Sequence, residues 1–286
     1  MFYKDLKKIY ININLLISVL IKYRYDVHVP EDDTKEFSIK FSTSLVNERK
    51  DISVVLQNSY ENYYACKKGV YIPNYHIIGS TGYYDGLTYE SIQNVEKEEI
   101  IAVVEKTTQD SLIAKVELMK RDVPFDMVPW KNCNPRTLAK YKVQLILPSQ
   151  ITSQKIMENF RHGIVMMLPS EALFREMVRE SEQYSFDAPE IIKIDEGLEK
   201  YTTWYDDDME DLFVFFSSWD DVRGLLHSVN IDKIRTKAKE FADKQEIKII
   251  EQWKDIMNEK SNNKYLIHNK KPTCKSESGY FYNYSD

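Results

Sequence analysis

Four oxygen-bearing side chains crowd one turn of the stretch LPSQITSQKIMENFR, residues 147–161: Ser149, Gln150, Thr152 and Ser153. Hydroxyls gathered where a helix begins make an anion site, because the first-turn N–H groups have no partner within the helix. The chemistry to expect there is the binding of a phosphate or a similar anion. His76 is a second reactive group, since an imidazole titrates near neutral pH and can take a proton from a hydroxyl. It stands just before the glycine-rich segment GSTGYYDG, residues 79–86.

The elements that must hold this turn are legible around it. Val143 to Leu147 is a short apolar run, Thr152 to Arg161 reads as a helix, and Ile164 to Leu168 is a second apolar run after Gly163. Two nearly uninterrupted apolar strands joined by one helix are what a parallel sheet covered on both faces requires. The turn then lies at the carboxyl edge of the sheet, where open α/β folds bind ligands.

The same rhythm runs through the second half of the chain. The pattern predicts strands Ile100 to Val104, Phe125 to Val128 and Leu212 to Phe216. It predicts helices Gln109 to Lys120, Pro135 to Tyr141 (capped by Asn134), Ser170 to Ser181, and Trp219 to Val229 after Ser217 and Ser218. A long amphipathic helix, Ile231 to Met257, closes the series. Glu182 to Asp211 reads as a polar excursion. Repeated strand–helix alternation predicts a doubly wound parallel sheet. Before it, residues 1–93 read as a small α/β unit opening with a helix, Tyr3 to Tyr23, and carrying a strand within Asp51 to Asn58 and an extended stretch Tyr71 to Ile78. Residues 94–260 form the larger unit and 261–286 a polar tail.

Composition bounds the function. The chain has 286 residues, 43% of them apolar, enough for one large core or two modest ones. Its net charge of −6 argues against a nucleic-acid partner. Three scattered cysteines, Cys66, Cys133 and Cys274, suggest neither a disulfide framework nor a zinc site, and point to a reducing, cytoplasmic setting. The apolar N-terminal run is broken by Asn12 and Asn14 and is shorter than the roughly 20 residues a membrane span needs.

Two stretches carry a family resemblance. LAKYKVQLILPSQ…MENFRHGIVMMLPS is similar to the run of GT-B glycosyltransferases in which a buried strand ends in Pro-Ser before a helix bearing a Glu, a Gly and a second strand. FVFFSSWDDVRGLLHSVNIDKIRTKAKEFADKQEIKIIEQWKDIM resembles the end of their donor-binding domain. The resemblance covers roughly 160 of the 286 residues. It implies a GT-B-like α/β architecture of two Rossmann-like units with doubly wound parallel sheets, the first one small. It also implies transfer of a sugar from a nucleotide-diphosphate donor, such as a UDP- or GDP-sugar, to a glycan or polymer hydroxyl, with no cofactor and no obligatory metal.

Residue by residue, the resemblance assigns Glu158 to the ribose hydroxyls, Lys106 to the donor diphosphate, and Trp130 and Lys131 to the nucleobase. Ser149, Thr152 and Ser153 would meet phosphate. Apart from the resemblance, His76 beside the glycine-rich hinge is the candidate base for an inverting reaction, on the chemistry of its imidazole. Gln150 stands where retaining members often carry a second Glu near the transferred sugar. An amide can bind sugar hydroxyls but cannot stabilise an oxocarbenium charge as a carboxylate would. That departure, with the short first unit, leaves an alternative reading open: a non-catalytic nucleotide-sugar-binding or scaffolding domain. The short first unit is also what a fragment of a longer chain would show. Asp206 and Asp208 have the spacing of the metal-binding pair in GT-A enzymes, but they precede a strand instead of following one, so a solvated loop is expected there.

Overall fold

Strands of four or five apolar residues bury both faces only when helices cover both sides, and the second half of this chain obeys that constraint. The computed structural model describes residues 16–18, 53–67, 72, 75–82, 86–93, 95–105, 108–150, 154–181, 184, 188–194 and 197–261. The chain divides into two compact units. One comprises Met1–Gly79 with Ile250–Asp286, the other Ser80–Ile249. Lys106, Thr152, Ser153, the segments 19–52 and 262–286, and all but three residues of the expected first helix lie outside the described residues.

The first unit holds a parallel three-stranded sheet, β1 (Leu16–Ser18), β2 (Ser53–Leu56) and β3 (Tyr75–Ile77), in that order. Helix α1 (Ser59–Lys67) follows β2. Asn58 starts it by accepting the Glu61 N–H at 3.2 Å, while the Glu61 carboxylate takes the Gln57 N–H at 2.9 Å. β1 corrects the expectation of a helix through Tyr23. A short apolar run fits helical and buried-strand templates alike. Here pairing decides, with Leu16 opposite Ser53 and Ile17 opposite Val54. Cys66 is disulfide-bonded and Cys133 is a free thiol, so the expectation of reduced thiols throughout is corrected at Cys66. Bridging depends on close approach of two Cα atoms, which sequence spacing does not reveal.

The second unit opens with the short helix α2 (Tyr89–Gln93). Its five strands are β4 (Glu98–Glu105), β5 (Phe125–Pro129), β6 (Tyr141–Leu145), β7 (Met166–Pro169) and β8 (Phe213–Phe216). They lie in the order β5-β4-β6-β7-β8, every pair parallel. This is a doubly wound, Rossmann-like sheet whose strand order reverses direction between β4 and β6. Between the strands run α3 (Thr108–Lys120), α4 (Pro135–Leu138), α5 (Gln154–Arg161) and α6 (Glu171–Glu180). After β7 and α6 come α7 (Ala188–Ile191), and after β8 the helices α8 (Asp221–Ser228) and α9 (Ile231–Ser261).

Several expectations hold and several shift. Asn134 caps α4 through the Thr137 N–H at 3.0 Å, with Pro135 at the first helical position. That helix ends at Leu138 instead of Tyr141, because Tyr141 already begins β6 opposite Glu98. Neither Ser217 nor Ser218 is the residue before α8. That residue is Asp220, and Ser218 instead accepts the Asp220 N–H at 3.2 Å. The expected polar excursion is anchored by buried Tyr184, Ile191, Ile194, Leu198 and Trp204.

The core explains why α5 sits where it does. Ile156, Met157 and Phe160 pack with Met166 and Leu168 of β7, Phe213 of β8, and Ala238 and Ala242 of α9. Phe160 is fully buried, its ring 5.2 Å from Phe213 and 6.0 Å from Phe241. A smaller cluster, Ala102, Val128, Leu138 and Ile164, fills the region beside β4 and β5. Gly82 lies against the α5 backbone with φ of +65°, and Arg161 donates to the Thr81 carbonyl at 3.2 Å. Among the described residues no helix is long and apolar enough to cross a membrane.

Candidate functional site

Where neighbouring strands send their helices to opposite faces, a crevice opens at their carboxyl ends. In this sheet that place lies between β4 and β6, and a cavity occupies it. Val103 and Val104 line it from β4, Asp110 and Ser111 from the start of α3, and Trp130 from the end of β5. Gln144 to Leu147 and Ser149 form the β6 side, with Lys155 of α5 and Trp204 closing it. Trp130 is 53% exposed, which places it at the mouth. Asp110, Ser111, Gln144 and Ser149 are each more than nine-tenths buried. A group of buried polar side chains converging on one apolar-walled cavity is the pattern of a small-molecule site.

The polar groups are held by identifiable bonds. The Gln144 Oε1 accepts from the Asn159 side-chain amide at 2.7 Å, locking a residue of β6 to α5. Lys155 donates to the Cys133 carbonyl at 2.7 Å and also pairs with the Glu158 carboxylate. Its ammonium therefore spans from α5 to the loop after β5. The Trp204 Nε1 donates to the Gln150 carbonyl at 2.6 Å and fixes the turn after β6 from outside. Burial pushes the Tyr184 phenol well above its usual range, and the Asp110 carboxylate adds to that effect. Behind the site, His162 is buried with Nδ1 2.8 Å from the Glu158 carbonyl.

The expected residues divide into groups. Trp130 and Ser149 meet at the cavity. Lys131 is exposed on the 3-10 turn Trp130–Asn132. Glu158 is not on the cavity wall; its carboxylate is engaged by Lys155, which is. Gln150 contributes its backbone carbonyl to Trp204. His76 lies in β3 of the other unit, opposite Val55. Lys106, Thr152 and Ser153 are outside the described residues.

Five polar or aromatic lining residues escaped the sequence reading: Asp110, Ser111, Gln144, Lys155 and Trp204. Gln144 had a signal, since an amide inside the apolar run KVQLILP must find a partner or face a ligand. Trp204 had none. Asp206 caps the turn Asp207–Leu212 by accepting the Asp208 N–H at 2.9 Å, and burial raises its carboxyl above the usual range. No group of three or more metal-ligating side chains occurs among the described residues.

No family model matches the chain, and no curated protein matches it. The crystal structure of TarM, a glycosyltransferase, matches with a TM-score of 0.38 at 10% identity, over 82% of this chain and 58% of that one. This chain therefore spans less than two thirds of TarM's length, and a likeness at that level carries no argument about activity.

Proposed function

We propose that the chain is a glycosyltransferase of GT-B type that takes a nucleotide-diphosphate sugar and passes the sugar to a glycan or polymer hydroxyl. The observation that carries this reading is the cavity at the β4/β6 reversal, walled by Trp130, Ser149 and Lys155. An aromatic ring at the mouth suits a nucleobase, and a lysine ammonium beside a helix start suits a phosphate. Catalysis would lie in placing the leaving diphosphate against Lys155, Lys106 and the opening amides of α5, with no metal required. Glu158 acts on the ligand through Lys155, whose ammonium it orients. Gln150 keeps the role of sugar contact in this proposal.

Calorimetric titration with UDP, GDP and their sugars tests it. UDP or GDP should bind, and Glu158→Ala should weaken that binding roughly tenfold by releasing Lys155. Absence of binding by every nucleotide sinks the proposal. The amide at Gln150 favours a second reading, a binding domain without turnover. Release of free sugar from the donor, or transfer to a glycan, decides against that second reading.

A further inference from the structure

The turn after β6 carries a backbone carbonyl close to where the proposed ligand carries its charge. Gln150 directly follows Ser149 and comes shortly before the start of α5 at Gln154. A helix start attracts an anion through its amide N–H groups, and a carbonyl oxygen facing the same place would oppose that attraction. Here the carbonyl is engaged elsewhere. The Trp204 Nε1–H donates to it at 2.6 Å, from a segment 54 residues further along the chain. Ser149 and Trp204 both line the cavity, whereas Gln150 is not on its wall.

Trp204 is held so that this bond is set in advance. Its ring packs in one core cluster with Ile156, Met157 and Phe160 of α5, and the residue is buried. Two residues earlier, the Thr202 hydroxyl donates to the Leu198 carbonyl at 3.0 Å. One residue later, the Tyr205 hydroxyl donates to the Pro169 carbonyl at 3.1 Å. The indole cannot swing away without disturbing that packing and those bonds. Its nitrogen only donates and is already committed, so what Trp204 adds to the cavity wall is apolar ring. A bond made before the ligand arrives costs no reorganisation on binding.

We propose that Trp204 is a positioning residue for the anionic end of the ligand. Its indole N–H holds the Gln150 carbonyl away from the cavity and leaves Ser149 and Lys155 on the wall at that corner. The inference rests on the nucleotide-sugar reading above and adds to it a residue that acts on the phosphate through the backbone. Without the indole N–H the carbonyl loses the donor that holds it. A turn toward the cavity would then set its partial negative charge against the phosphate, in a space sheltered from water. The nucleobase, placed at Trp130 on the far side of the cavity mouth, should not register the change.

The test is calorimetric titration of the full chain with uridine, inorganic pyrophosphate and UDP, before and after two replacements. Trp204→Phe keeps an aromatic ring and removes the N–H. Benzothienylalanine in place of Trp204 keeps the indole shape and puts sulfur where the N–H was. Both should weaken pyrophosphate and UDP roughly five- to tenfold and leave uridine within about twofold. Partial unfolding weakens all three probes by one common factor, so lost stability does not mimic this split. If the sulfur analogue binds like the unaltered chain, ring packing explains the phenylalanine result and the role of Trp204 is overturned. It is overturned too if uridine weakens as much as pyrophosphate, if neither weakens, or if UDP binds and pyrophosphate does not. If pyrophosphate binds the unaltered protein and UDP does not, the nucleotide reading falls and pyrophosphate alone decides the role of Trp204. If neither binds, both fall.

Discussion

The tripeptide Leu-Pro-Ser marks the ends of two neighbouring strands of the same sheet, at 147–149 just after β6 and at 168–170 across the end of β7. The second corner is closed upon itself. The Ser170 hydroxyl accepts the Leu173 N–H at 3.4 Å, its own N–H reaches the Phe216 carbonyl, and Glu171 in the first turn pairs with Arg175. The first corner is different. The Ser149 hydroxyl makes no hydrogen bond among the described residues and lines the cavity, and α5 has no acid in its first turn. Adjacent aromatic residues tie the two corners. Trp204 bonds the Gln150 carbonyl at 2.6 Å, and Tyr205 bonds the Pro169 carbonyl at 3.1 Å. What separates the corners is position in the sheet: the first stands where strand order reverses and the second does not. A local motif supplies the hydroxyl, and topology decides whether it caps a helix or meets a ligand.

The largest test asks whether the open corner depends on α5 being held from behind. A Cβ on Gly82 would lie 2.1 Å from the Met157 carbonyl carbon, and the backbone there has φ of +65°. Backbone cannot yield as a side-chain tip can, so Gly82→Ala should cost about 3 kcal/mol, read as a fall in the urea midpoint. Gly163→Ala, which meets the Tyr89 ring and the flexible Arg235 stem, should cost less. Equal losses would mean that α5 is not clamped by Thr81 and Gly82.

The closed corner should respond to alkali. Burial raises the phenols of Tyr205 and Tyr184 well above the ordinary value of 10.0. Above pH 10 the unfolded chain releases protons that the folded chain keeps, so stability falls with rising pH by about 1.4 kcal/mol per unit for each phenol. Tyr205→Phe should remove one of these two contributions and leave the β6 corner's ligand affinity unchanged. Urea midpoints between pH 9 and 11 read the slope. A slope identical in Tyr205→Phe would show that this phenol does not titrate with unfolding.

Much of the five-stranded sheet was legible because its strands are short apolar runs and its helices start with recognisable caps such as Asn134 and Ser170. The first strand, β1, was not. Its residues also fit a helical stripe, and only pairing with β2 distinguishes the two. The site was half legible. Ser149 and Trp130 sit at strand ends, where periodicity points. Asp110 and Lys155 are ordinary helix charges until the strand order brings them to one crevice, and that order comes from tertiary contacts. Glu158 shows the converse: a fitting residue at a fitting spacing whose carboxylate is engaged by Lys155, the neighbour one turn before it.

Exchanging each serine for alanine isolates the difference between the corners with the smallest disturbance. Ser170→Ala removes a helix cap and should cost about 1 kcal/mol of stability, leaving UDP affinity as it was. Ser149→Ala removes a hydroxyl that bonds nothing in the described fold, so stability should move by less than about 0.5 kcal/mol. Its effect should appear in UDP affinity, roughly five- to tenfold weaker, because a phosphate would lose a donor in a place sheltered from water. Denaturation midpoints and calorimetric titration on the same preparations give both readings. If Ser149→Ala lost as much stability as Ser170→Ala and no affinity, the two corners would be alike after all. The reversal of strand order would then have produced a gap in the packing and not a binding site.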